Sequence, residues 1–325
     1  MSLKMLHTDS DIARINARYL EFIEPRVWTR LKENTVFVGG RFFAELMDLP
    51  VGVKEVTGEL VGDTGRAVTY DGKGTSIPLV NAEVTEVSNP VHIEISAFEI
   101  NFFELEAIAV ATANGQRFGA DISTTLANVA VDVVNERCHL KGAYGDPDYG
   151  TTGFINNASV PLSNDTFDPY NVATTADEIK DYVVDNFQTV VSNTNLKFTP
   201  NLILTTLDFY MLLVKTYRSG GTDKSLLNIL LDDLGPLGLR DIVPLNELQS
   251  ARLEANGVQS PATNKERMVV YRLDPEVVYR RTSPIGFLPS VRTLTGMQTP
   301  VYKAASEVIW RYPTAGAYFD FPKKT

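Results

Sequence analysis

Between Asp121 and Glu136 the apolar residues Ile122, Leu126, Val129 and Val133 recur at steps of four, three and four. That is the helical period, and Asp121, Thr125, Asn128, Asp132 and Glu136 lie on the other side. The spacing predicts a long helix with those four apolar residues turned to the core. Asp121 suits its N-cap, where a carboxylate accepts from the free amides of the first turn. Gly142 suits the left-handed residue just past its end. A shorter helical segment precedes it and meets it at Gly115 and Gly119, and a glycine-rich loop, 145–153, follows.

Upstream the pattern changes to period two. Val53 to Tyr70 reads as one extended run broken by Gly58, Gly62 and Gly65. Asp71-Gly72-Lys73-Gly74 reads as a turn, and Ile77 to Ile100 as the returning strand. Alternation there predicts Val91, Ile93 and Ile95 on the buried side and His92, Glu94 and Ser96 outside. The far half of this hairpin carries few large hydrophobes. A two-stranded ribbon is marginal alone in water, so its tip needs a surface, from its own body or from another subunit.

Residues 1–30 read as an arm. Asp9 or Ser10 can cap a helix bearing Ile12, Ile15, Tyr19, Phe22 and Ile23 on one side, and Pro25 stops it. Its apolar side packs either on its own domain or on a neighbour. Downstream, Thr175 and Glu178 are spaced as a capping box ahead of Ile179, Val183, Phe187 and Val190. Asn201–Leu204 then reads as a strand, Thr205 as a cap, Leu207–Tyr217 as a helix and Lys224–Leu234 as another ending at Gly235. Ile242 and Val243 suggest a buried strand. This alternation implies an α/β subdomain. Late strands follow at Met268–Leu273 and Pro300–Arg311, expected to complete the sheet begun by the hairpin.

Length, 325 residues, permits a large core, and 44% hydrophobic with 22% charged residues is ordinary for a globular chain. No apolar run reaches 18 residues, so no membrane contact is expected, and MSLKMLHTDSD lacks a signal-peptide core. The chain is expected to stay in the compartment where it is made. A net charge of −10 argues against tight binding of nucleic acid through phosphates. A single cysteine, Cys138, forbids an intrachain disulfide and reads as a core residue.

Little in the sequence gathers catalytic groups. Asp63-Thr64-Gly65 matches an aspartic-protease triplet, but that chemistry needs two carboxylates sharing a proton and only one copy is present. His92-Ile93-Glu94 lacks the cysteines of a zinc deaminase. Cys138-His139 cannot close a tetrahedral metal site alone. Asp146-Pro147-Asp148 reads as a polar turn rather than a calcium loop. The residues point to no catalytic, cofactor-binding or metal site and to a protein that is not an enzyme.

Several short matches run in order along the chain: Gly65-Arg66-Ala67, Ile77-Pro78-Leu79-Val80, Phe103-Glu104-Leu105, Lys141-Gly142 and Gly153-Phe154-Ile155-Asn156. Arg311-Tyr312-Pro313 with Tyr318 and Asp320 closes the series. Together they resemble tailed-bacteriophage major capsid proteins, whose fold encapsulin nanocompartments share. The resemblance implies an α+β fold. It would have an arm at 1–30, a first peripheral part at 31–52, an extended loop at 53–95 and a peripheral domain with a spine helix at 96–144. An axial domain at 145–270 and late strands at 271–325 returning to both domains would complete it. It implies self-assembly as pentamers and hexamers into an icosahedral shell around double-stranded DNA, with scaffolding, portal and cement proteins as further partners. The location implied is the virion, after assembly in the host cytoplasm. Other readings are an encapsulin-like compartment and a hydrolase using Asp63. Lys73 stands where some relatives cross-link, though the matching asparagine and glutamate are not identifiable. Unlike many relatives, no helical scaffolding segment precedes the arm in this sequence.

Overall fold

In the computed structural model the described residues are 35–64, 81–103, 122–217, 224–258 and 264–324, together with Glu106 and Val110. The arm, the tip turn with Lys73, and Asp121 fall outside them. In chain order the strands and helices are β1 (Ala44–Leu46), β2 (Glu55–Thr64), β3 (Asn81–Asn101), α1 (Ile122–Tyr144), β4 (Gly145–Asp146), β5 (Thr151–Thr152) and β6 (Leu162–Asn164). Next come α2 (Ala176–Asn193), β7 (Leu202–Thr205), α3 (Leu207–Lys215), α4 (Leu226–Leu234), β8 (Asp241–Pro244) and α5 (Ser250–Ala255). The chain closes with β9 (Lys265–Tyr271), β10 (Val278–Arg281), β11 (Gly286–Phe287), β12 (Val291–Arg292), β13 (Gly296–Ser306), β14 (Ile309–Trp310) and β15 (Gly316–Pro322).

The late strands do not all join the hairpin. They divide among three sheets. β13 pairs with β3, in the order β11-β13-β3-β2. β9 and β15 enter a separate sheet, β6-β15-β9-β7-β8, and β10 and β14 join β1 in a third. The second sheet is covered on both faces, which explains its unbroken apolar runs Leu202–Leu204 and Met268–Tyr271. Met268, Val270 and Phe319 pack on Ile179, Phe187, Leu213 and Leu230 of α2, α3 and α4. Val269, Tyr271 and Tyr318 face the other way, onto Phe42, Phe43, Phe154 and Trp310. The capping box at Thr175 and Glu178 forms as the spacing predicts. The next cap is Thr206, one residue later than expected, because Thr205 is the last, buried residue of β7.

Two buried charges cross this sheet. Arg267 and Asp320 are register partners on β9 and β15. They form a two-pronged pair at 2.7 and 2.8 Å, and Arg267 also donates to the Ile155 carbonyl. Glu266 beside it accepts from the Tyr170 and Thr206 hydroxyls, each at 2.7 Å, and has no cation at hydrogen-bond range among the described residues. Burial pushes its pKa up, and the two hydrogen bonds offset this only in part. For an acid with a raised pKa, the cost of carrying charge is absent at low pH and grows as pH rises through the folded value. Glu266→Gln keeps an acceptor oxygen, so it is expected to raise the melting temperature at about pH 7 and to leave it unchanged near pH 4. Equal shifts in calorimetry at both pH values would reject that account.

Helix α1 departs from expectation in phase and in end. Its buried side is Ala130, Val134 and Cys138, packed on Val301 of β13. Val129 and Val133, expected inside, are 45% and 46% exposed. Small residues lie inward because the helix lies close along β3 and β13. Gly142 is not the cap. It sits inside the helix, where a Cβ would lie 3.0 Å from Nη1 of the buried Arg280. The left-handed stop is Gly145, at φ +78°.

Candidate assembly surface

The motif residues after α1 form a compact knot on the helix end. Phe154 and Ile155 donate their N–H groups to the carbonyls of Gly142 and Ala143, each at 2.9 Å. Asn156 accepts from the Gly153 N–H and donates to the Tyr144 carbonyl, both at 2.7 Å. Gly153 must be glycine, since a Cβ there would stand 2.3 Å from the Ala143 oxygen. Three orphan carbonyls at the end of the helix, those of Gly142, Ala143 and Tyr144, are thereby satisfied within the chain.

From this end the hairpin is gripped at its root. β3 is 21 residues long, about 70 Å at the usual rise. Its second half, Val91–Asn101, pairs with β13, and its first half, Asn81–Pro90, pairs with β2. At the junction, Glu94 contacts Lys141 of α1, and Lys141 Nζ lies 3.0 Å from Asp146. Arg137 adds contacts at 2.8 Å to Asp146 and 3.7 Å to Glu94. Glu94, Lys141 and Asp146 are all buried. Burial works to raise the Asp146 pKa, but the Lys141 hydrogen bond and the charges of Lys141 and Arg137 outweigh it and hold the group below the ordinary carboxylate range. A second pair, Lys303 with Glu45 at 2.9 Å, ties β13 to β1.

This grip reverses the expected alternation. Glu94 points to the helix, while Ile93 and Ile95, expected inside, are 47% and 60% exposed. Beyond the root the ribbon is bare: residues 82–88 are all exposed, Val84 and Val87 among them. Unpartnered apolar residues therefore lie on the outer side of the β3–β13 sheet, on the outer side of α1 and along the ribbon. Ile93 and Ile95, two residues apart on one strand face, are the kind of exposed apolar pair that an interaction face uses.

The residues that could carry chemistry sit on several elements of the fold. Asp63 lies in β2 opposite Ala82. His92 stacks on Tyr149, with ring centres 4.8 Å apart. His139 accepts from the Phe37 N–H through Nδ1 and meets Glu247 through Nε2 at 3.2 Å. Cys138 is buried against β13, and burial raises its thiol pKa. The Asp146 carboxylate caps the short turn Pro147–Tyr149 by accepting from the Asp148 N–H. Among the described residues no group of three or more His, Cys, Asp or Glu could hold a metal ion, and no helix is long and apolar enough to cross a membrane.

A projecting ribbon on a helix-backed sheet, joined to a second sheet buried on both faces, is the subunit architecture of tailed-phage capsids. The fold matches the capsid of Myoviridae phage XM1 with a TM-score of 0.74, over 94% of this chain and 98% of that one, at 13% identity. It matches a structure from Mycobacterium phage Bobi at 0.60, with 98% and 99% covered and 10% identity. The capsid of cyanophage P-SCSP1u gives 0.59, with 95% of each chain covered and 12% identity. A protein-family comparison matches residues 65–321 to the major capsid protein family. The chain belongs to that family. No curated protein matches it. As a major capsid protein it is a structural component of the virion shell and assembles with copies of itself.

The sequence motifs named Lys141, Gly142, Gly153 and Asn156, which the structure brings together at the end of α1. They did not reveal the Glu94–Lys141–Asp146 cluster. Glu94 stands at a polar position of the alternating run Val91–Ser96, so nothing local marked it.

Proposed function

We propose that the subunit closes an icosahedral shell of pentamers and hexamers by laying its hairpin, residues 53–95, and its arm, residues 1–30, over neighbouring copies. The observation that carries this is the ribbon itself, whose β2 arm of 10 residues runs about 33 Å and whose residues 82–88 on β3 are exposed. In this reading residues 31–52 and 96–144 form the peripheral domain and 145–270 the axial domain. Residues 271–325 return to both. The shell encloses double-stranded DNA without sequence-specific contacts, as the net charge of −10 favours for a wall that must not bind its polyanionic content. Scaffolding, portal and cement proteins are its further partners, assembly takes place in the host cytoplasm, and the subunit performs no catalysis. Modest contacts, repeated around every capsomer, suffice for a stable closed particle.

Negative-stain microscopy of the purified chain tests the reading. Rings, sheets or closed particles are the expected result at low salt. Particles that fail to form both alone and on co-expression with the neighbouring head proteins would overturn it.

A further inference from the structure

The bare half of the ribbon carries one sign of charge. Glu55, Glu59, Glu83 and Glu86 are exposed, and residues 55–64 and 81–91 contain no lysine or arginine. The strand register aggravates this. Glu59 stands directly opposite Glu86, which places their Cβ atoms about 5 Å apart on one face. Like charges directly opposed across two strands destabilise a ribbon. Among the described residues neither carboxylate has a cation partner. A face built this way is unfavourable in the isolated subunit and becomes favourable against a basic surface.

The same chain offers such a surface on its third sheet, β1-β10-β14. The Tyr279 ring is flanked by two guanidinium groups, with Arg311 at 5.3 Å and Arg281 at 6.0 Å from its centre. Arg281 is engaged by Asp48 at 2.6 Å, yet its buried Nε has no acceptor. Arg311 is exposed and has no carboxylate partner among the described residues. One residue on, Lys197 lies 5.5 Å over the Tyr312 ring and is also exposed. A guanidinium group beside an aromatic ring and without a carboxylate of its own can receive one in two-pronged fashion. Among the described residues of one chain no ion pair joins these cations to the ribbon.

We propose that the ribbon face centred on Glu59 and Glu86 docks on the arginine pair around Tyr279 of a second copy, with Arg311 as its main cation. This rests on the shell reading above and adds what recognises the ribbon. The contact sets which neighbour is accepted and in what register, as charge complementarity does at other interfaces.

The test is sedimentation velocity of the full chain at about 0.1 M and about 1 M salt, between which the screening length falls from about 10 to about 3 Å. The wild type is expected to associate at low salt and to do so less at high salt. Glu59→Arg with Glu86→Arg, and separately Arg311→Glu, should each lower association at low salt by tenfold or more. The chain carrying all three changes should recover most of it. Glu59→Gln with Glu86→Gln separates docking from folding: it should raise the melting temperature of the unassembled subunit while weakening association. Reversals that associate like the wild type, or a combined variant that does not recover, overturn the proposal and leave the shell reading standing. A wild type that stays monomeric at low salt overturns the docking proposal and leaves the shell reading to the co-expression test above.

Discussion

Lys141→Met is expected to remove about 3–5 kcal/mol of folding stability, the usual result of stripping one partner from a buried ion pair. Lys141 is the one buried cation between two buried carboxylates, Glu94 and Asp146. Without it both must share Arg137, whose side chain is half exposed. Urea denaturation of unassembled subunits measures the loss. The pH dependence follows from the depressed Asp146 value. A group held below its unfolded pKa contributes stability above that pKa, and the contribution is lost as pH falls through the folded value. The gap between wild type and variant should therefore be full at neutral pH and narrow below about pH 4. Adding Glu94→Gln should restore part of the stability, because one stranded charge is gone. A loss below about 1 kcal/mol would mean that Arg137 alone holds the cluster and that the exposed-pair regime applies.

The second large effect is on assembly. Residues 60–85 can be replaced by Asn-Gly, since Glu59 and Glu86 are already register partners and two residues close an antiparallel pair. The remaining strand from Val91 keeps its whole pairing with β13. The shortened subunit should thus fold, with its melting temperature within a few degrees of the wild type, because the root pairing is kept and residues 82–85 of the deleted segment are exposed. Closed particles should fall by tenfold or more in electron micrographs, with soluble subunits accumulating instead. An unchanged yield of particles would remove the hairpin from the account of shell closure.

How much was legible in the sequence depends on how local the cause was. The capping box at Thr175 needs only residues three apart, and it forms as read. The strand–helix unit at Leu202–Lys215 is likewise a short-range feature. Phase was misread in two places for one reason. Along Val91–Ser96 and along α1 the larger apolar residues were assigned to the core by size. The structure places Glu94 inside because Lys141 and Arg137 arrive from a helix more than 40 positions later in the chain. It places Ala130, Val134 and Cys138 inside because the helix sits close on its sheet. A periodic pattern identifies an element but not which of two apolar sides belongs to the neighbour. Gly142 shows the same limit. A glycine near a helix end reads as a stop, and only the buried guanidinium of Arg280 explains why one is needed a turn earlier. The three-sheet division of the late strands depends on pairings such as β3 with β13, about 200 residues apart, which no local signal encodes.

That wide pairing bears on when the chain can fold as it emerges from the ribosome. In the two large sheets, β13 fixes the root of β3, and β15, residues 316–322, lies between β6 and β9. Neither sheet can close until residues near position 300 and beyond have been made. Contacts this distant in sequence slow folding and favour a late, concerted step. Until those residues have been made, no surface built on either sheet is available to a neighbouring copy.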